Sequence, residues 1–392
     1  MKKVISVLTA TRAEYGLLKP IIRRLLDIEE FDVRIAVTGA HLSKRHGMTY
    51  NEILEDMFVI DKMIDIIEDY ETSAVGISKI MGNAMIKFSE YFAELKPDLL
   101  VVLGDRYETL AVSCVAMNEN IPIAHLYGGE TTEGAVDEAI RHSITKMSYL
   151  HFTSTEEYRN RVIQLGEDPK RVFCVGAIGI ENIKNMELLS KKELEESIGF
   201  LLDCPYGVIT FHPVTLEESS AKEQFGELLK AITKYKEFKF IITKANADAD
   251  GDIINDMIDE YVKDHENVRA YASLGIKRYL STLKYSSFVL GNSSSGIIEA
   301  PSFNIPIINI GNRQAGRMRS HSVIDCKPKE KEIIEAIQKA LSEEHKLIVQ
   351  NSVNPYGEGV TSKKVVSILE NYLLRTKMDL KKKFYNIEFR IK

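Results

Sequence analysis

The sequence lacks the long apolar segments of a membrane protein. None of its hydrophobic runs approaches the ~20 residues that a membrane-spanning helix requires. The apolar run at residues 4–8 ends at polar residues 9–12, so it is too short for the core of a signal peptide. We therefore expect a protein that stays in the cytoplasm.

Cysteine is scarce and scattered. The chain has four cysteines, and none forms a CxxC pair or lies beside histidines at zinc-binding spacing: Cys114, Cys174, Cys204 and Cys326. This pattern indicates reduced thiols in the core. We predict neither a metal nor a cofactor.

An excess of positive charge is also missing. The formal net charge of −6 argues against nucleic acid or an anionic membrane as the main partner. An anionic ligand would therefore need a local cluster of basic side chains. No internal repeat or low-complexity tract is visible.

What the sequence does contain is two series of short apolar runs alternating with amphipathic stretches. Since 392 residues exceed the size of one hydrophobic core, two α/β domains with parallel sheets are expected. We predict domains at 1–176 plus 360–392 and at 177–359, with a hinge near 176–181 and a returning helix at 362–374. The predicted strands are 4–8, 33–37, 99–103, 121–124, 150–153, 207–211, 238–243, 268–271, 288–290 and 305–310.

Polar residues follow several of these strands, where ligands bind in open α/β sheets. In the first half, Arg12 begins a helix, and Asp105 and Arg106 follow the apolar run 99–103. Arg12 has a simpler interpretation as a solvated arginine. Asp105 has one as a helix N-cap.

The densest titratable cluster begins at His125 and includes Glu130 and Asp137. Close carboxylates shift each other's pKa values, which separates acid from base roles. Asp137 and Arg141 lie four residues apart, so an ordinary surface ion pair is the alternative interpretation.

In the second half, His212 follows a strand, although a lone histidine is more often structural. Residues 291–296 bring Ser293 and Ser294 to a helix start that resembles a phosphate site, with Glu299 just inside the helix. Arg313 follows the next strand, and its guanidinium suits diphosphate oxygens. A polar turn and a solvated basic loop are the alternatives.

These segments together resemble the hydrolysing UDP-N-acetylglucosamine 2-epimerases of sialic-acid synthesis, in particular the bacterial enzymes that make N-acetylmannosamine. The similarity spans nearly the whole chain. Each motif is weak by itself, but the order and spacing of the motifs together make the resemblance specific. The motifs are TxTRAEYG, VTGxHLS, LGDRYE, the GGE…DEAIRHSITKMS block, STEEYRNRVIQLGE, FHPVT, GNSSSGIIEAPS and NIGNRQAGR.

The resemblance implies a glycosyltransferase-B-like fold of two Rossmann-like domains with the active site in the cleft between them. It also implies anti elimination of UDP to 2-acetamidoglucal, followed by hydration. By motif, Asp105, Glu130, Asp137 and His212 become candidate catalytic residues. The candidate substrate contacts are Arg12, Arg106, Ser293, Ser294, Glu299 and Arg313.

One position departs from the family. Many members carry His-Ile-Glu-Gly-Gly-Glu where this chain has His-Leu-Tyr-Gly-Gly-Glu, so Tyr127 replaces a carboxylate implicated in acid–base catalysis. Glu130, Glu133 or a water held by Tyr127 are the alternatives for its role, and the sequence does not choose among them.

Other activities stay open. The same reaction on UDP-N,N′-diacetylbacillosamine, in legionaminic-acid synthesis, is the main alternative. A non-hydrolysing epimerase, a glycosyltransferase of the same architecture and a nucleotide-sugar sensor are the others. The partners expected are the UDP-sugar, the UDP product and further copies of the chain in a dimer or tetramer; the sequence does not indicate whether an allosteric ligand exists.

Overall fold

The chain folds into two compact units in a computed structural model. The structure describes residues 2–44, 47–68, 73–132, 136–213, 221–245, 251–357 and 359–388. The first unit comprises Met1–Glu130, Val136–Asn182 and Gly357–Lys392; the second comprises Thr131–Ala135 and Ile183–Tyr356. The domain limits predicted from the sequence, 1–176 plus 360–392 and 177–359, remain a proposal.

The first unit is a seven-stranded parallel sheet with helices between its strands. Its strands are β1 (Lys3–Thr9), β2 (Phe31–Thr38), β3 (Ile60–Ile64), β4 (Leu99–Leu103), β5 (Ile123–Leu126), β6 (Leu150–Thr153) and β7 (Val172–Cys174). Its helices are α1 (Arg12–Leu26), α2 (Tyr50–Glu55), α3 (Ala74–Leu95), α4 (Tyr107–Asn118), α5 (Asp137–Met147), α6 (Glu156–Gln164) and α7 (Ile178–Asn185), which starts in this unit and extends past its limit at Asn182.

The second unit repeats the pattern with six parallel strands. Its strands are β8 (Tyr206–Thr210), β9 (Lys239–Thr243), β10 (Val268–Tyr271), β11 (Phe288–Gly291), β12 (Ile307–Ile310) and β13 (Val323–Cys326). Its helices are α8 (Lys191–Ile198), α9 (Ala221–Thr233), α10 (Gly251–Lys263), α11 (Gly275–Tyr285), α12 (Ser294–Ile298), α13 (Glu330–Leu341) and α14 (Glu343–Gln350). The chain then returns to the first unit with α15 (Thr361–Glu370).

Strand order is the same in both sheets, apart from the additional edge strand β7 of the first sheet. The first sheet runs β3-β2-β1-β4-β5-β6-β7, and the second runs β10-β9-β8-β11-β12-β13. Each order reverses direction once, between β1 and β4 and between β8 and β11. A reversal of this kind opens a crevice at the carboxyl ends of the two strands, where doubly wound sheets bind ligands.

The central strands are buried on both faces, which explains their continuous apolar sequences. All five residues of β4 and all five of β8 are buried. Sequence periodicity did not predict β3, β7 or β13, which are edge strands of three to five residues. Each pairs with one neighbour only. Asp61 interrupts the apolar pattern of β3 and Asp325 that of β13, whereas β7 is apolar but has only three residues.

The segment after α15 docks on the first unit. The Lys382 ammonium contacts both carboxylate oxygens of Glu167 at 2.9 and 3.0 Å. A side chain at Gly166 would overlap the ring of Phe384, and the backbone N–H of Tyr385 donates to the Gly166 carbonyl at 2.9 Å. Burial alone would raise the pKa of Glu167, but hydrogen bonds from His151, Lys146 and Lys382 hold it at about 2. The docked segment thus neutralises a buried carboxylate.

No helix in the part of the chain that the structure describes has the length and apolar character to cross a bilayer.

Candidate functional site

Two polar clusters lie at the reversal points of the two sheets. In the first unit, β1 ends at Thr9 and β4 ends at Leu103. Helix α1 starts at Arg12 and is capped by Thr11, whose side chain accepts from the Glu14 backbone N–H. The Glu14 carboxylate in turn accepts from the backbone N–H groups of Ala10 (2.8 Å) and Thr11 (3.1 Å). This capping box fixes the loop that carries Arg12.

A buried pair of carboxylates supports the same loop. Arg106 is the residue before α4, and its guanidinium binds Glu108, which is fully buried. Burial raises the pKa of Glu14 to about 7; the charge of Arg106 opposes this shift, and that of Glu108 adds to it. Arg106, a predicted substrate contact, is therefore already engaged with a carboxylate.

Arg141 organises the carboxylates of the first unit. Its side chain is only 2% exposed. One nitrogen of its guanidinium binds the Asp105 carboxylate, and the other donates to Glu138 Oε2 and to the Glu130 carbonyl, both at 2.8 Å. Asp105 is thus held by an ion pair to Arg141, because the cap position of α4 is occupied by Arg106. Its interpretation as an N-cap was wrong.

Glu130 and Asp137 lie on either side of this arginine along the chain. The Glu130 side chain is buried and accepts from the Ser154 hydroxyl at 2.8 Å. Asp137 is the first residue of α5 and is exposed. The next residue, Glu138, also contacts His142 Nε2 at 3.1 Å. Glu133 lies outside the described residues.

A buried histidine fixes the turn before Asp105. His125 Nε2 lies 2.8 Å from the Gly104 carbonyl oxygen, and its Nδ1 lies 3.3 Å from the Thr145 hydroxyl. Burial lowers the pKa of His125 to about 3, so the ring is neutral near pH 7. A neutral ring with Nε2 protonated donates to this carbonyl and so fixes the backbone beside the carboxylate.

Tyr127 adopts a strained backbone conformation. Its φ of 66° lies in the left-handed region, which a bulky side chain rarely occupies. Its hydroxyl accepts a hydrogen bond from the Ile178 backbone N–H at 2.8 Å, at the start of α7. The ring packs against the apolar core of the first unit. The phenol at the position of the family carboxylate therefore has a structural contact of its own.

In the second unit, Asn292 joins the ends of β8 and β11. Its side chain accepts from the His212 backbone N–H at 2.7 Å and donates to the His212 carbonyl at 2.8 Å. A side chain at Gly291 would overlap the Thr210 carbonyl oxygen, and its φ is 140°, so only glycine fits this close approach. Burial, reinforced by the charge of Arg313, lowers the pKa of His212 to about 3.

The loop after β12 joins the same cluster. Arg313 donates to the Asn292 carbonyl at 3.1 Å, and Gln314 donates to that oxygen at 2.8 Å. Arg319 instead binds the Asp325 carboxylate and the Gln314 carbonyl. Arg313 and His212 are thus gathered around Asn292.

The serine-rich turn carries the remaining predicted residues. Ser293 caps α12 and accepts from the Ser295 backbone N–H at 3.3 Å, and Ser294 is the first residue of that helix. Glu299 follows the helix and accepts a hydrogen bond from the Ser295 hydroxyl. Burial raises the pKa of Glu299 above its usual value, and this hydrogen bond partly offsets the rise.

Within the first unit, Arg141 joins Asp105 to the Glu130 carbonyl, and within the second, Asn292 joins His212 to Arg313. The structure also gives roles to two residues outside the predicted site, Glu138 and Asn292. Glu138 belongs to the titratable cluster of the sequence and lies three residues before Arg141, a spacing that places the two side chains on one face of α5. Asn292 was detectable only as a polar residue directly after a strand glycine. Among the described residues, no group of three or more His, Cys, Asp or Glu side chains is arranged to hold a metal ion.

Comparison with known proteins identifies the family. The family model described as UDP-N-acetylglucosamine 2-epimerase matches residues 23–370. The chain belongs to this family. The family and the class of enzyme, a hydrolysing UDP-sugar 2-epimerase, are therefore those that the motifs predicted.

Two relatives are similar over most of their length. The chain is 43% identical over 346 residues to the GDP/UDP-N,N′-diacetylbacillosamine 2-epimerase (hydrolyzing) of Campylobacter jejuni, covering 88% of this chain and 89% of the relative. It is 42% identical to the polysialic acid biosynthesis protein P7 of Escherichia coli, covering 99% and 98%.

A solved structure supports the fold. The UDP-GlcNAc 2-epimerase of Neisseria meningitidis, determined with UDP-GlcNAc bound, matches with a TM-score of 0.81 at 22% identity, covering 94% of this chain and 99% of that chain. The predicted pair of Rossmann-like domains is confirmed.

Proposed function

We propose that this enzyme hydrolyses UDP-N-acetylglucosamine to N-acetylmannosamine and UDP, and that the product feeds sialic-acid synthesis. The observation that carries the proposal is the Asp105–Arg141 pair at the reversal point of the first sheet. A carboxylate held by a buried guanidinium keeps one orientation, which proton transfer at a sugar carbon requires. The similarity to the Escherichia coli polysialic acid protein favours this sugar.

In the proposed reaction, a base removes the C2 proton while the C1–O bond to UDP breaks, leaving 2-acetamidoglucal. Water then adds its hydroxyl to C1 and a proton to C2 from the opposite face. Asp105 and Asp137 are the proposed acid–base groups, with Glu130 the candidate for the role of the carboxylate missing at Tyr127. His212 takes part as a neutral imidazole, since burial keeps its pKa near 3.

We propose that the second unit holds the UDP group. Arg313 supplies charge for the diphosphate, and Ser293 and Ser294 supply hydroxyl and N–H donors. Glu299 accepts from the ribose hydroxyls. Arg12 and Arg106 are proposed contacts from the first unit.

A proton NMR time course with UDP-N-acetylglucosamine in heavy water tests the reaction. Deuterium at C2 of N-acetylmannosamine, with free UDP appearing at the same rate, is the expected result. UDP that stays attached to the product would identify a non-hydrolysing epimerase, and unlabelled C2 would favour a glycosyltransferase. Binding without turnover would indicate a sensor.

The second candidate substrate is UDP-N,N′-diacetylbacillosamine, the sugar named for the Campylobacter jejuni relative. Measuring kcat/KM on both sugars decides between them, because the two differ at C4 and C6. We also propose that the enzyme is cytoplasmic and that it forms a dimer or tetramer. Cell fractionation and sedimentation velocity would check the location and the assembly.

A further inference from the structure

A hydrogen-bond chain connects helix α11 to the carboxylate of Glu299. The Tyr279 hydroxyl donates to the Ser295 hydroxyl oxygen at 2.8 Å. The Ser295 hydroxyl in turn donates to Glu299 Oε2. Each hydroxyl has one proton to donate, so this order of donors fixes the direction of the whole chain.

The chain leaves the other carboxylate oxygen available. Within the described residues, Oε1 of Glu299 has no hydrogen-bond partner, and the side chain is only partly buried. A carboxylate with one oxygen anchored and the other open is suited to accept hydrogen bonds from a ligand that carries hydroxyl groups.

We propose that Tyr279 and Ser295 are positioning residues that hold Glu299 in place to accept hydrogen bonds from the ribose hydroxyls of the uridine nucleotide. This inference rests on the proposed UDP-sugar substrate. Tyr279 is two hydrogen bonds away from the carboxylate of Glu299, and Ser295 restrains the carboxylate oxygen that the ligand leaves free.

Ionisation of Glu299 provides a second measurable property. Burial raises the pKa of this carboxyl, and the Ser295 hydrogen bond lowers it. Within the described residues, the titratable group that faces Glu299 is Tyr279 on α11, whose own pKa is raised by burial. Loss of the Ser295 hydroxyl should therefore move the protonation of Glu299 to higher pH, and Tyr279→Phe should move it less.

The test measures binding of UDP and of 2′,3′-dideoxyuridine diphosphate to the full chain by calorimetry. The variants are Tyr279→Phe, Ser295→Ala and Glu299→Gln. The control is Tyr285→Phe, a tyrosine on the same helix whose hydroxyl donates to the Leu189 carbonyl at 3.1 Å. Thermal unfolding of each variant shows whether the second unit remains folded.

A hydrogen bond to a charged group contributes ~10–100-fold in affinity. We expect Glu299→Gln to weaken UDP binding by about that factor, and Ser295→Ala and Tyr279→Phe by ~3–10-fold. The dideoxy nucleotide should bind all of these proteins with nearly equal affinity. UDP affinity of Ser295→Ala should begin to fall at a higher pH than that of the wild type, because protonation removes the acceptor.

A double variant separates positioning from general damage. Tyr279→Phe added to Glu299→Gln should cost no further affinity, because the group that Tyr279 positions has already lost its charge. If Glu299→Gln weakens UDP binding while Tyr279→Phe matches Tyr285→Phe, the positioning inference is overturned and the proposed function stands. Failure of the wild type to bind UDP would instead overturn the proposed function.

Discussion

Replacing Arg141 with lysine tests the carboxylate cluster of the first unit most directly. The guanidinium serves three acceptors, on Asp105, Glu138 and Glu130, from a side chain that is 2% exposed. A lysine keeps the charge but offers a single ammonium, which cannot reproduce the planar fork. The variant therefore disturbs the orientation of Asp105 with little change in total charge.

The magnitude follows from the contacts. About two charge-assisted hydrogen bonds are lost, each contributing ~1.5–3 kcal/mol. The Asp105 and Glu138 side chains are 28% and 29% exposed, so water replaces part of this loss. We expect the free energy of unfolding to fall by about 3 kcal/mol, equivalent to ~6–12 °C in the unfolding midpoint of a unit of this size.

Activity should fall further than stability predicts. Misorientation of an acid–base group costs ~10²–10⁴-fold, so we expect kcat for UDP release to drop at least ~10²-fold at a temperature where the variant is folded. UDP affinity should stay within ~2-fold. Arg159→Lys is the matched control, since its Nε donates to the Val172 carbonyl at 2.9 Å and the side chain is 29% exposed. A folded Arg141→Lys variant with kcat within ~3-fold of wild type would refute the argument.

Three further outcomes are expected. Asp137→Asn should lower turnover ~10²–10⁴-fold while UDP binding is retained; near-normal turnover would remove Asp137 from the mechanism. Arg313→Ala should weaken UDP binding before it affects chemistry, and an unchanged Kd would exclude it as a diphosphate ligand. Glu14, with a folded pKa of about 7 against 4.5, favours its protonated form in the fold, so stability should decline by about 3 kcal/mol as pH rises through this window. Denaturant titrations at pH 5 and pH 8 measure this change in the free energy of unfolding, which should be smaller in Glu14→Gln than in the wild type. An equal change in the two proteins would contradict the assignment.

The interior of the fold was predictable because burial on both faces makes a strand continuously apolar. The runs at 99–103 and 288–290 are examples, and they correspond to β4 and β11. The edge strands β3 and β13 were not predictable in this way, since they carry charged residues such as Asp61 and Asp325, and β7 is apolar but only three residues long. Their assignment depends on pairing with a neighbour, which is a property of the folded chain.

The sequence predicted where the residues of the candidate site lie along the chain, but it did not predict which side chains contact each other. Strand ends located Asp105, His212 and Arg313, because the reversal of a parallel sheet gathers such ends. The sequence spacing suggested Asp137 as the partner of Arg141, whereas the contacts observed for this guanidinium run to Asp105, Glu138 and the Glu130 carbonyl. Helix spacing can reveal Glu138, three residues before Arg141 on the same helix, but not Asp105, which follows strand β4.

The segment after α15 affects how deletions should be interpreted. A chain shortened to residue 376 keeps every proposed substrate contact, yet it loses Lys382 from Glu167 and uncovers Gly166. Glu167 would keep His151 and Lys146 as partners but would lose the Lys382 contacts that help to hold its pKa low. Inactivity of such a shortened protein would therefore report weakened folding of the first unit, and would not assign chemistry to the missing residues.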